Sequence, residues 1–174
     1  MSEKISVLIP EKELKEKIAE MGEMISKEYE GKEILMICVL RGGVFFACEL
    51  AKHITGPLTM DFMSVSSYGS GTSSSGNVKI IKDLEDSIEG KHVLIAEDIV
   101  DSGNTLSKLI ALLKARKPAS IKLCTLLDKP DRRVVEIEAD YTCFKIPDKF
   151  VVGYGLDYDQ HYRNLPYIGV VELD

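Results

Sequence analysis

With 174 residues, 45% of them hydrophobic and 29% charged, the chain has the size and balance of one globular domain. Its net charge of −6 argues against a nucleic-acid partner, which calls for clustered Lys and Arg. No apolar run is long enough to span a membrane, and Met1-Ser2-Glu3-Lys4 opens no signal-peptide core, so a cytoplasmic protein is expected.

Pro10 to Tyr29 carries Leu14, Ile18, Met21 and Ile25 at helical spacing, which predicts an amphipathic helix opening at the proline. Ile34 to Leu40 is a continuous apolar run, the pattern of a strand buried on both faces. Arg41-Gly42-Gly43 then turns into a second helix, about Val44 to His53, and Pro57 to Val65 reads as a strand. Ser66 to Asn77 holds six Ser and three Gly in twelve residues and cannot bury a core. Such a segment is either a linker or a flexible lid over a site. Val78 to Leu84 and Val93 to Val100 read as strands. The helix that follows sets Leu106, Leu109, Ile110 and Leu113 on one face and ends before Pro118. Ile121 to Leu127 is a further strand, and Tyr141 to Ile146, Phe150 to Tyr154 and Ile168 to Leu173 are short extended segments. Strands alternating with helices predict an α/β fold, a central mostly parallel sheet flanked by helices, in a single domain over residues 1–174.

Cys38, Cys48, Cys124 and Cys143 lie scattered inside apolar runs without CxxC spacing, and read as small buried hydrophobes of a reducing compartment. His53, His92 and His161 show no metal spacing and read as structural or solvated.

Chemistry concentrates where the strand Val93 to Val100 ends. Glu97 and Asp98 sit at its carboxyl end, where open α/β sheets bind ligands. Asp101-Ser102-Gly103-Asn104-Thr105 is rich in hydroxyl and N–H donors and opens a helix, a cradle for phosphate. Acids beside an anion site fit a hydroxylated or metal-bound phosphate, which points to a sugar phosphate. A Walker-type acid is excluded by the absence of Gly-x-x-x-x-Gly-Lys-Ser/Thr. An acidic chain needs Mg²⁺ and a few aimed basic residues to receive a polyphosphate.

Four apolar residues, Glu97-Asp98, two apolar residues and Asp101-Ser102-Gly103-Asn104-Thr105 resemble, position by position, the signature of the type I phosphoribosyltransferases. Ile146 to Tyr158, with Phe150-Val151-Val152-Gly153-Tyr154-Gly155-Leu156-Asp157, is similar to the base-binding segment of the hypoxanthine-guanine members of that family. The resemblance runs from about Ile5 to Val171 and implies a parallel core of about five strands with a small hood built from the N- and C-terminal segments.

It also implies roles. Asp101 would be the general acid/base, while Glu97 and Asp98 would hold the ribose hydroxyls and a first Mg²⁺. Ser102, Gly103, Asn104 and Thr105 would bind the 5-phosphate. Arg41-Gly42-Gly43 matches the pyrophosphate loop, whose entering peptide, here Leu40–Arg41, can be cis in relatives. Ser67 and Tyr68 would close over the pyrophosphate and Arg163 would contact it. Lys129 would donate to a purine 6-oxygen, Phe150 would stack on the ring, and Val151 would face its Watson–Crick edge. Asp157 would lie at the base and hold a second Mg²⁺. The implied activity is transfer of phosphoribosyl from phosphoribosyl pyrophosphate to hypoxanthine or guanine, in a dimer or tetramer acting on small molecules. A xanthine- or guanine-preferring enzyme and a non-catalytic phosphoribosyl pyrophosphate sensor are the alternatives.

Overall fold

A computed structural model describes residues 3–67 and 78–172, Ser67 by its backbone alone. The order is β1 (Lys4–Ile9), α1 (Glu11–Glu28), β2 (Ile34–Val39), α2 (Val44–Lys52), β3 (Leu58–Ser67), β4 (Val78–Lys82), β5 (His92–Val100) and α3 (Asn104–Lys114). Then follow β6 (Ser120–Asp128), a short 3₁₀ turn (Pro130–Arg132), β7 (Tyr141–Lys145), β8 (Val151–Val152) and β9 (Ile168–Glu172).

Six strands form the main sheet in the order β4-β3-β2-β5-β6-β7. β3, β2, β5, β6 and β7 pair in parallel, and β4 closes one edge antiparallel to β3. The apolar runs of β2 and β5 are explained by burial on both faces. Alternate residues feed two cores: Met36, Cys38, Leu94 and Ala96 join the helices α1 and α2 on one side. Leu35, Ile37, Val93 and Ile95 join Leu106, Leu109 and Leu113 of α3 on the other. From β2 the chain crosses through α2 to β3; from β5 it crosses through α3 in the opposite direction to β6. The strand order therefore reverses between β2 and β5, and the crevice outside the carboxyl ends of those two strands is the expected ligand position.

A second sheet, β1-β9-β8, is antiparallel and joins the two ends of the chain into a hood. The hood was expected, but a strand at Lys4–Ile9 was not; it buries only Ile9 fully, and its apolar stretch of three residues, Val7 to Ile9, is too short to mark a strand. Other boundaries shift. β3 runs through Ser66 and Ser67, because both pair with β4 (Ser66 with Lys79, Ser67 with Val78), so the Ser/Gly-rich segment loses its first two residues. Its remainder, Tyr68 included, lies outside the described residues, as does Leu173. β4 stops at Lys82 instead of Leu84, and the extended segment expected from Phe150 pairs only at Val151–Val152. Cys38, Cys124 and Cys143 are buried, and burial pushes the Cys38 and Cys143 thiols up to about 12. Cys48 departs from the expectation: it is exposed, on the outer face of α2.

Candidate active site

Adjacent residues of a strand point to opposite faces, and Glu97 and Asp98 use that alternation. Glu97 lines a cavity of about 250 Å³ together with Val100, Asp101, Ser102, Gly103 and Thr105, over an apolar floor that includes Val39, Val65 and Leu106. Asp98 turns instead to the loop after β2, where its carboxylate packs so tightly on Gly42 that a Cβ there would collide with it. Gly43 is confined in the same way by the Val39 and Ala96 carbonyls. The glycines thus let one strand-end loop lie directly on the other, a close approach that no side chain permits. The Leu40–Arg41 peptide of this loop is cis.

The paired acids are electrostatically strained. Burial, then the like charge and hydrogen bonding of Asp98, push the Glu97 carboxyl well above the usual carboxylate range. The Asp98 N–H donates to Glu97 Oε1 at 3.1 Å, and the Ile99 N–H donates to Asp98 Oδ1 at 2.8 Å. Among the described residues no three His, Cys, Asp or Glu side chains converge on a point that would hold a metal. The donor set fits Mg²⁺ in its usual manner, held by one or two carboxylates and completed by water and substrate oxygens.

The 5-phosphate candidates form the turn into α3. Gly103 adopts φ +85, and its missing Cβ makes room for Ile137, Val135 and Arg133. Gly103 at the N-cap of α3 offers no side chain, the Asn104 N–H donates to Ser102 Oγ at 3.3 Å, and the first turn contains no acid. Ser102, Gly103 and Thr105 at this positive helix end line the cavity. The turn is braced from behind. The Val134 N–H donates to the Ser102 carbonyl at 3.0 Å. Arg133 donates to the Asp101 carbonyl at 3.2 Å, to the Ile137 carbonyl, and to the Asp128 carboxylate. Arg132 Nε lies 3.3 Å from Asp101 Oδ1, and Arg132 Nη1 lies 3.8 Å from Asp148 Oδ2. Neither arginine was singled out from sequence, where Arg132-Arg133 looks like any solvated basic pair.

Lys129 follows β6 and is fastened to the end of β5, its N–H donating to the Val100 carbonyl at 2.9 Å. The residue is only 7% exposed, yet no ion pair to it occurs among the described residues. Its ammonium donates to no other group among the described residues and keeps contact with solvent, which leaves it open to donate to a ligand carbonyl. Phe150 is the reverse case, an aromatic left 47% exposed at the start of the hood, edge-on to Tyr158 at 5.5 Å. Val151 beside it is buried in β8, and the Val171 N–H donates to the Phe150 carbonyl at 2.9 Å, which fixes the segment on the hood.

Asp157 and Arg163 share one tight hood loop. Arg163 donates to the Gly155 carbonyl at 2.7 Å, and Arg163 Nη2 lies 3.5 Å from Asp157 Oδ1. Gly155, at φ +101, packs on the Gly42 carbonyl, so the hood loop touches the Arg41-Gly42-Gly43 loop. Arg41 crosses that contact to donate to Gln160 Oε1 at 3.0 Å. Gln160 is a further residue that sequence reasoning passed over; an amide three places before Arg163 carries no spacing signal. The structure therefore gathers two groups: Glu97, Asp101, Ser102, Gly103 and Thr105 around one cavity, and Arg41, Gly42, Asp98, Asp157 and Arg163 across the loop-to-hood contact.

The sequence matches the family described as "Phosphoribosyl transferase domain" over residues 10–159. It is 52% identical over 166 residues to the hypoxanthine-guanine phosphoribosyltransferase of Streptococcus thermophilus, spanning 95% of this chain and 92% of that protein. It is 60% identical over 166 residues to the bifunctional protein TilS/HprT of Listeria monocytogenes, of which it spans only 26%. Among solved structures, a hypoxanthine phosphoribosyltransferase from Staphylococcus aureus superposes with a TM-score of 0.93 at 50% identity, covering 96% of this chain and 91% of that one.

Proposed function

Because the chain belongs to the phosphoribosyl transferase family, we propose that its crevice transfers the phosphoribosyl group of phosphoribosyl pyrophosphate to N9 of hypoxanthine or guanine. The single observation that carries this reading is the pairing of a phosphate cavity at the β5–α3 turn with Lys129, mostly buried, without an ion pair among the described residues and anchored to the same strand end. One half suits a sugar phosphate and the other a 6-oxo base.

The residues divide the work. Ser102 to Thr105 and the α3 N-terminus take the 5-phosphate, and Glu97 the ribose hydroxyls. Arg41, the Gly42-Gly43 backbone and Arg163 take the pyrophosphate, for which a planar guanidinium fork is suited. Ser67 and Tyr68 are assigned to closure over the same group. Phe150 stacks on the purine, Val151 meets its Watson–Crick edge and Lys129 donates to O6. An ammonium has donors only, so it favours a 6-oxo over a 6-amino base. Glu97, Asp98 and Asp157 are the residues that would hold Mg²⁺. When bound, that ion neutralises and orients the leaving pyrophosphate.

In the reaction the bond from ribose C1 to the pyrophosphate oxygen breaks and the bond from C1 to purine N9 forms. Positive charge develops at C1 as in glycoside cleavage, and the Asp101 carboxylate, held at 3.3 Å by Arg132 Nε through Oδ1, is the negative group assigned to stabilise it. The purine proton at N7 passes to Asp101 as N9 attacks. The same reading puts the enzyme in the cytoplasm as a homodimer or homotetramer, in keeping with four free cysteines.

Asp101→Asn tests the assignment. Turnover should fall by about 10²–10⁴, the usual contribution of a positioned acid/base, with phosphoribosyl pyrophosphate affinity within a few-fold of the parent. Near-normal turnover would remove Asp101 from the role.

A further inference from the structure

Arg41 and Arg163 come from opposite sides of the crevice, one from the loop after β2 and one from the hood, yet they meet on a single atom. Gln160 Oε1 accepts from Arg41 Nη1 at 3.0 Å and from Arg163 Nη2 at 3.1 Å. The Gln160 backbone is held in turn, its N–H donating to Asp157 Oδ2 at 2.9 Å. Asp159, Gln160 and Tyr162 all have positive φ (50, 68 and 75), so the loop adopts a rarely populated conformation to present this amide. Two guanidinium ions drawn to one point repel each other; Asp157, 3.5 Å from Arg163 Nη2, offsets part of that on the hood side, and the neutral amide oxygen adds only weakly. A phosphate oxygen bridged by both arginines would satisfy the same geometry with opposite charge.

We propose that Gln160 is a positioning residue of the pyrophosphate subsite. Its amide oxygen stands where a pyrophosphate oxygen is to be bridged, holds Arg41 and Arg163 converged, and gives way when the anion arrives. The inference rests on the assignment of those two arginines to pyrophosphate. It explains why the acceptor is neutral. An amide orients both guanidinium groups in advance, which lowers the ordering cost of binding. A carboxylate in its place would form charge-assisted bonds roughly twice as strong and compete with the substrate. Asparagine suits a positive φ better but is one methylene shorter, too short to reach both arginines.

The experiment compares the parent with Gln160→Glu, Gln160→Asn and Arg163→Met, measuring calorimetric affinity for inorganic pyrophosphate with Mg²⁺ present, melting temperature, and KM for each substrate. Gln160→Glu should weaken pyrophosphate binding and raise the phosphoribosyl pyrophosphate KM by about tenfold, with the purine KM within about twofold. Gln160→Asn should weaken pyrophosphate about three- to fivefold with an unchanged melting temperature. Pyrophosphate affinity unchanged or tighter in both Gln160 variants, while Arg163→Met loses it, would overturn the role of Gln160 alone. Unchanged affinity in Arg163→Met would overturn the arginine assignment and the inference with it.

Discussion

Phe150 shows how a single residue declares a task. A ring of that size contributes to stability when buried, yet this one keeps nearly half its surface in solvent on a well-fixed segment. Stacking on a base is worth about 1–3 kcal/mol, so Phe150→Leu should raise the purine KM about tenfold. The phosphoribosyl pyrophosphate KM and the melting temperature should barely move; a large loss of stability instead would make Phe150 a core residue. Glu97 argues in the other direction, since its raised carboxyl reflects burial and the like charge of Asp98. Glu97→Gln should make the ligand-free protein melt about 2–4 °C higher at neutral pH, the shift expected for roughly 1 kcal/mol in a chain of this size. Activity should fall in the same variant, and calorimetry beside the turnover assay checks both. At this scale the acids, the phosphate turn and Phe150 stand in ordered motifs that can be read from sequence, whereas Lys129 is singled out only by the family resemblance. Gln160, Arg132 and Arg133 were not legible, because amide and guanidinium contacts between distant loops leave no trace in local spacing.

Among the elements, β2, β5 and α1 were legible because burial on one stripe or two faces writes itself into composition. β1 forms by pairing with β9, a partner far along the chain, and its own residues hardly announce it; β8 falls inside the extended segment expected from Phe150. Cys48 misled for a related reason: an apolar helix does not reveal which of its positions faces out. Ion pairs between elements are equally silent, as Arg116 and Asp83 illustrate. Arg116, just beyond α3, grips Asp83, just beyond β4, with bonds of 2.8 and 2.9 Å. That hydrogen bonding is the main cause holding the Asp83 carboxyl below its ordinary 3.8. A depressed carboxylate stabilises the fold above its unfolded value and loses that contribution as pH falls through the folded one. Arg116→Leu should therefore destabilise by about 0.5–1 kcal/mol at pH 7, a modest figure because both groups are partly solvated. The gap between variant and parent should close as pH drops below 3.8, read from denaturant midpoints across pH. A gap that stayed constant into strong acid would assign the effect to packing.

At the scale of the whole molecule, the main sheet delivers the acids and the phosphate turn to its point of reversal, while the hood delivers Phe150, Asp157 and Arg163 from above. The parallel core and the hood were readable from strand–helix alternation and the family motifs. The contact between Gly155 and Gly42, which joins the two parts, is a backbone approach that only three-dimensional structure reveals. No helix among the described residues is long and apolar enough to cross a membrane. The central claim is that this crevice phosphoribosylates a 6-oxopurine. Steady-state turnover with phosphoribosyl pyrophosphate and Mg²⁺, with hypoxanthine, guanine, xanthine and adenine supplied separately, tests it most directly. The account predicts conversion of hypoxanthine or guanine to the nucleoside monophosphate, one pyrophosphate released per turnover, with adenine inert. Adenine turning over as well as hypoxanthine, or no base turning over while phosphoribosyl pyrophosphate still binds, would contradict it.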